Sequence, residues 1–475
     1  MSTASAGRDA PVRGGRAPRL LAPVLVLLAA VVAVTSSVGV PFIPAVAELY
    51  DAPLALAQWS LTLPFLVGTV ATPVLGRLGD GPYRRVVVLG ALTLVVLGGV
   101  LTALPLPLPA FLAGRALQGF GLSLMPLLMA VAREALPPGR SGPTIAVLSV
   151  TVVSGVGLGY PLAGLVAELG GLRAAFWAAA AVCGAALVAA AVVLPAPAAA
   201  PRRPFDWPGA VLLGTGLAAL LLALSEGGDW GWSSPLFLGT VATCLVALTG
   251  WVVSATRSPA PLVDVRLARG RRAAGGHLAI LLVSVANYLL IGCVTVLAQA
   301  PQPRGLATSV LVAGLLLVPY SLATMAAGQV ARRLAERLGG RGVVSGSALV
   351  VAVAGACFAV LDTELWHLFL AMAVLGVGVG GAFATVPGLV IAAVPASESS
   401  SAMALNQVLR YAGFALGSAL TAVVLDLTSP AAGDVGASTG PVIGLATCAV
   451  GLTAAGLTWL LTGRAPTSRD TVRSG

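Results

Sequence analysis

Fourteen apolar runs follow one another along the chain, at 20–47, 54–75, 86–104, 109–131, 143–167, 174–194, 208–225, 235–255, 276–299, 307–331, 343–361, 367–394, 402–427 and 441–462. A helix of about 20 apolar residues spans the hydrocarbon core of a bilayer. Lipid offers no partner to a backbone amide, so a chain of such runs folds as a bundle of membrane helices. Composition agrees: 58% of the 475 residues are hydrophobic and 9% are charged. An ordinary soluble domain carries about 25% charged residues. Too few ionisable groups remain to clothe a water-soluble surface, which excludes a soluble enzyme and a disordered chain.

Net charge is +10 and all 27 basic residues are Arg. If the N-terminus is cytoplasmic and the spans alternate, 23 of the 27 fall in cytoplasmic segments. Arg173 and Arg304 fall outside, and Arg115 and Arg410 fall within spans. This asymmetry is the positive-inside pattern, not that of a nucleic-acid-binding protein. It predicts a multi-pass protein of the cytoplasmic membrane with both termini inside. The first run follows Arg8, Arg13, Arg16 and Arg19 but is too long for a signal-peptide core, so it is expected to stay as a helix. Each of the five cysteines lies in its own run, without metal or disulfide spacing. His277 and His367 stand near run ends and read as interfacial residues. No cofactor or metal motif is legible.

The segments Pro195–Pro204 and Arg257–Arg272 bracket two spans. The chain therefore divides into a six-helix bundle at 1–195, a two-helix insert with its linkers at 196–272, and a second six-helix bundle at 273–475. Arg77, Leu78, Asp80 and Arg85 recur 256 positions later as Arg333, Leu334, Glu336 and Arg341. Parallel six-helix repeats are a transporter architecture.

Three segments carry a resemblance. Residues 76–85 read GRLGDGPYRR, 112–121 read LAGRALQGFG and 154–164 read SGVGLGYPLAG. They are similar to the loop, helix-four and helix-five signatures of the major facilitator superfamily, and within it of the fourteen-helix drug:proton antiporters. FDWPG at 205–209 is similar to the start of that family's insert. The resemblance implies an all-α fold of two six-helix bundles plus a two-helix insert. It makes Gly76, Arg77, Gly79, Asp80, Arg84 and Arg85 a conformational switch. Charge-assisted hydrogen bonds there can clip helices together in one state and release them in another. It places Arg115, Gln118 and Gly119 on a transport or proton path and assigns Gly155, Gly159, Pro161 and Gly164 to the antiporter helix. Gly155 and Gly159 share a face that lets another helix approach closely, and Pro161 removes a backbone donor.

Buried charge in a span is a functional candidate on physical grounds alone. Arg115 and Gln118 are three apart and share a helix face. Asn287, Asn406 and Arg410 are further cavity candidates. The family's helix-one Asp is replaced by Thr35, which leaves Asp426, Glu48 and Glu168, all near outer ends, as the nearest carboxylates. Asp426 is the one expected to serve a proton. The expected activity is non-enzymatic: a monomeric secondary transporter exporting a small lipophilic or amphiphilic molecule by alternating access, with a proton as coupling ion. A proton-independent facilitator or importer on the same fold is the alternative.

Overall fold

The computed structural model describes residues 17–37, 39–79, 83–195, 205–259, 261–268, 270–302, 305–361, 364–394, 399–428 and 438–462. Among them there is helix and no strand. The N-terminal half comprises α1 (Ala17–Ser37), α2 (Ile43–Tyr50), α3 (Leu54–Gly79), α4 (Arg84–Ala103), α5 (Leu108–Gln118), α6 (Leu124–Ala135), α7 (Pro138–Gly170) and α8 (Leu172–Val193). Then come α9 (Trp207–Trp230) and α10 (Pro235–Arg257). The C-terminal half comprises α11 (Arg271–Gln299), α12 (Val310–Val360), α13 (Leu365–Ile391), α14 (Ser399–Thr428) and α15 (Thr439–Leu461).

Twelve of the described segments are long and apolar enough to cross a membrane. Within α12 two helices join at Gly339, whose φ of 77° is a left-handed conformation that glycine adopts freely. The 33-residue α7 is a further apolar helix. Together these account for the fourteen runs. The stretch 332–342, expected as a loop, is helical up to that glycine. Two spans are broken instead. The first is interrupted by a 3₁₀ turn at Val40–Phe42, and the fourth by another at Gly119–Ser123. Thr and Ser side chains within spans bond back to their own helices, as Thr69 does to the Phe65 carbonyl at 2.7 Å, so their hydroxyls cost little in an apolar setting.

The cores are arranged unequally along the bundle. At the end bearing α2 and the start of α3, one core joins both halves: Phe42, Leu61, Phe65 and Tyr160 pack with Leu290, Leu317, Leu375 and Phe414. At the other end a smaller cluster with α9 bridges α14 and α3, and each half has a core of its own. Leu25, Leu92, Leu128 and Cys183 form one, within α1–α8. Ile280, Val344, Val386 and Ala402 form the other, within α11–α14. Across the halves α3 packs on α14 and α7 on α12.

The pair α9–α10 attaches on one side. Ala210 and Leu213 of α9 pack with Leu405 and Val408 of α14 and with Val74 of α3. Asp206 secures this pair: its Oδ1 accepts from Gly209 N at 2.9 Å, capping α9, and its Oδ2 accepts from Leu262 N at 3.0 Å. One carboxylate thus ties the segment entering α9 to the segment leaving α10.

Candidate functional site

Arg115 ends up at the junction of three elements. Its side chain is 1% exposed. Pro64 lacks the N–H that would bond the carbonyl four residues earlier, at Ser60. Arg115 Nε supplies that bond at 2.8 Å. Arg115 Nη1 donates to Gln118 Oε1, whose amide donates to Thr102 Oγ1 at 3.2 Å. A Cβ on Gly39 would stand 2.6 Å from Arg115 Nη2, so the glycine in the break of span one leaves room for the guanidinium. Among the described residues Arg115 has no carboxylate partner; the ion pairs there are Arg84–Glu134 and Arg266–Asp264. The charge is held by carbonyl and amide dipoles.

Gly119 and Gly121 explain why α5 stops after Gln118. A Cβ on Gly119 would meet the Pro64 carbonyl at 2.5 Å, and one on Gly121 would meet Thr35 Oγ1 at 2.9 Å. Close packing on α3 and α1 selects glycine, and glycine weakens the helix. Thr35 is buried and donates to the Val31 carbonyl at 2.8 Å. Thr35, Gln118 and Cys183 line a cavity of about 10 Å³, room for one water.

The aromatic residues meet at the centre of the molecule. Phe414 of α14 stacks with Phe65 of α3 at 5.2 Å, Tyr288 of α11 at 4.5 Å, and Phe383 of α13 and Tyr411 at 6.0 Å. Tyr160 and Tyr320 belong to the same core. Arg410 sits at the edge, 5.4 Å from both the Phe383 and Tyr411 rings. It is half-buried, and its Nε has no hydrogen-bond partner. Asn287 and Asn406 are buried nearby, with Asn287 Oδ1 and Asn406 Nδ2 unpartnered.

Along α7 the glycines divide between two neighbours. Gly155 abuts Ala33 and Gly159 abuts Ser37, both on α1. Gly157 abuts Ser321, and a Cβ on Gly164 would stand 2.8 Å from Leu311 Cα, both on α12. Pro161 lies on the same seam, 3.1 Å from where a Cβ on Gly314 would be.

At the opposite end Arg84 pairs with Glu134 and donates through Nε to the Gly79 carbonyl at 2.7 Å. Arg85 donates to the Ala191 carbonyl at 2.6 Å. Arg77 Nε is buried without a partner, and Gly76 stands open. Asp80 lies outside the described residues. The Arg residues of the loop thus bind within the N-terminal half, and Glu134 is a partner that no spacing rule pointed to.

Asp426 is exposed at the last turn of α14, against Gly228. The carboxylate nearer the seam is Glu226, which accepts from Trp59 Nε1 at 3.2 Å. Both histidines are buried near helix ends. His277 is 3% exposed with neither ring nitrogen bonded, and His367 is buried in a capping box, accepting from Glu364 N at 3.2 Å.

Residues 25–298 and 276–475 match the family model of the Major Facilitator Superfamily. The chain is 27% identical over 425 residues to the tetracenomycin C resistance and export protein of Streptomyces glaucescens, covering 87% of this chain and 77% of that one. It is 27% identical over 391 residues to a multidrug resistance protein B homolog of Mycobacterium tuberculosis, covering 78% and 69%. A crystal structure of a peptide transporter, POT, superposes with a TM-score of 0.67 over 94% of this chain and 96% of that one. At 16% identity that likeness speaks for the fold alone.

Proposed function

Because the chain belongs to the Major Facilitator Superfamily, we propose that it exports small lipophilic or amphiphilic organic molecules, such as drugs, antibiotics or secondary metabolites, by alternating access. It is a multi-pass membrane transporter of small molecules, not an enzyme. The export direction is supported by relatives named for antibiotic export and multidrug resistance.

The observation that carries alternating access is the unequal core. One core spans both halves at the end bearing α2, whereas at the other end each half has a core of its own and only the smaller cluster with α9 bridges them. A molecule sealed at one end and divided at the other fits one state of a two-state cycle. The positive-inside pattern assigns the divided end to the cytoplasm, so this state loads from within. We read the two halves as the moving bodies, with α9–α10 as the insert riding on α3 and α14. Both faces of the seam lie in one chain, so a monomer suffices as the transporting unit.

Proton coupling belongs to the same proposal. Thr35 cannot take up a proton, so the carboxylate must come from elsewhere, and Glu226 touches the sealed end. The test is a toxicity panel in an efflux-deficient bacterial host, with and without a protonophore. Protection against lipophilic compounds that the protonophore abolishes is the expected result. Sensitisation, meaning greater uptake, would favour an importer, and protection indifferent to the protonophore would remove the proton.

A further inference from the structure

We propose that the edge of the aromatic cluster around Phe414, on the side of the half-buried Arg410, binds a planar aromatic anion, a ring-borne carboxylate or phenolate, with Arg410 as its counter-charge. The inference rests on the export reading and names its substrate class. It starts from a charge that the protein leaves uncompensated. α3, α11 and α13 contain no Asp or Glu, and α14 has only Asp426 in its last turn, four turns beyond Arg410. Among the described residues Arg410 makes no ion pair, its buried Nε has no hydrogen-bond partner, and its neighbours include the Phe383 and Tyr411 rings. A guanidinium inside a membrane protein needs water, a carbonyl or an anion to offset its desolvation. Arg115 shows how this chain offsets such a charge elsewhere: carbonyl oxygens meet the guanidinium. Arg410 Nε lacks such a partner.

The surrounding groups define the ligand. Asn406 lies one helical turn before Arg410 on the same face, and its buried Nδ2 is an unspent donor. The two residues therefore present donors side by side to an acidic oxygen, and Arg can bind such a group bidentately. Rings from α3, α11, α13 and α14 converge on Phe414, which favours a flat π-system. Asn287 Oδ1, also unpartnered, can accept from a ring hydroxyl. A lipophilic cation would meet Arg410 without any carboxylate to screen it, so this edge selects against that class.

Three anthracene probes differ only in charge: 9-anthracenecarboxylate, 9-anthracenemethanol and 9-(aminomethyl)anthracene. Binding to the purified full chain is read from probe fluorescence anisotropy. The acid should bind at least tenfold more tightly than the amine. Arg410→Gln should erase that preference while the alcohol still binds within twofold of the parent. Should Arg410→Gln also lose the alcohol, Arg410→Lys is read instead, and retained charge must then retain the preference. Equal binding of acid and amine to the parent, no binding of the acid, or a preference that survives Arg410→Gln overturns the proposal. Transport is measured separately in loaded vesicles. Charge-selective binding without export would remove the export reading and leave the ligand class, whereas export of the amine without preference for the acid would do the reverse.

Discussion

Gln58 Nε2 donates to Ser418 Oγ at 3.1 Å, although the two residues stand 360 positions apart in the chain. Ser418 also bonds the Thr62 hydroxyl at 2.9 Å. This contact joins α3 to α14 across the two halves, inside the core they share. Next to it Trp59 reaches Glu226 of α9. The seam thus mixes apolar packing with a few short polar links. Such links are worth about 1 kcal/mol each when made and cost about 1–3 kcal/mol when one partner is stranded in a dry interior.

Ser418→Ala strands Gln58 Nε2 and weakens the seal, so it should shift the population toward the state open at that end. A cysteine placed at Leu61, 1% exposed in this state, should then react several-fold faster with a membrane-impermeant maleimide added outside. The same cysteine with Ser418 intact is the reference. Equal labelling rates would show that the polar link does not contribute to the seal.

The α7–α12 side of the seam depends on absence of side chain. Gly164→Ala places a methyl 2.8 Å from Leu311 Cα, backbone that cannot swing aside. Overpacking of this kind costs about 1–3 kcal/mol. Export should fall by tenfold or more while membrane abundance holds. Gly184→Ala, whose new methyl meets nothing within 4 Å, should transport like the parent. Similar activities for the two variants would separate the antiporter helix from the seal.

Much of this architecture is written in the sequence in coarse form. Apolar runs bounded by Arg mark the helices because lipid thickness fixes their length, and Gly155 and Gly159 could be assigned to one face by spacing alone. The breaks at Val40–Phe42 and Gly119–Ser123 are not legible in this way. They come from partners distant in sequence, Arg115 over Gly39 and Pro64 under Gly119. The same holds for His277. Its place near a run end does not show that the packing of α11 against α13, α14 and α15 buries it. Phe65, Tyr288 and Phe414 look like ordinary core residues until the fold brings them onto one centre.

Asp426 is a proton candidate because Thr35 stands where the family has Asp and Asp426 lies near an outer end. Its exposed position at the end of α14 points the other way. Asp426→Asn should leave gradient-driven transport in proteoliposomes within about twofold of the parent, the scale of an exposed surface change. Glu226→Gln, which removes the charge bonded to Trp59, should reduce it further. A collapse confined to Asp426→Asn would return that residue to the mechanism.

Membrane orientation follows from the Arg asymmetry and is open to a direct measurement. Ser233 lies in the turn between α9 and α10, next to Ser234, whose hydroxyl caps α10 by accepting from Phe237 N at 3.1 Å. A reporter active only outside should be active when fused at Ser233 and silent when fused at Gly7 or Ser474. Cytoplasmic activity at Ser233 would invert the two ends assigned above.

Arg115 stands opposite a gap in the hydrogen-bond ladder of α3. Pro64 deprives the Ser60 carbonyl of its helical donor, and Arg115 Nε replaces it at 2.8 Å. Arg115→Ala removes that donor, frees Gln118 Oε1, and leaves a void the size of a guanidinium. Each stranded acceptor costs about 1–3 kcal/mol, so thermal stability in detergent should fall together with export. Arg115→Lys keeps the charge but not the planar fork that reaches Ser60 and Gln118 at once, and should rescue poorly. Pro64→Ala separates the structural debt from any transport role. With an N–H at position 64, the Ser60 carbonyl bonds within α3, and Arg115→Ala should cost measurably less stability in that background than in the parent. Coupling between the two positions, read from melting temperatures of the four proteins, should be about 1 kcal/mol or more. If stability recovers in the double variant and export does not, Arg115 acts in transport beyond its bond to α3. If both recover, its contribution is to close the gap that Pro64 opens.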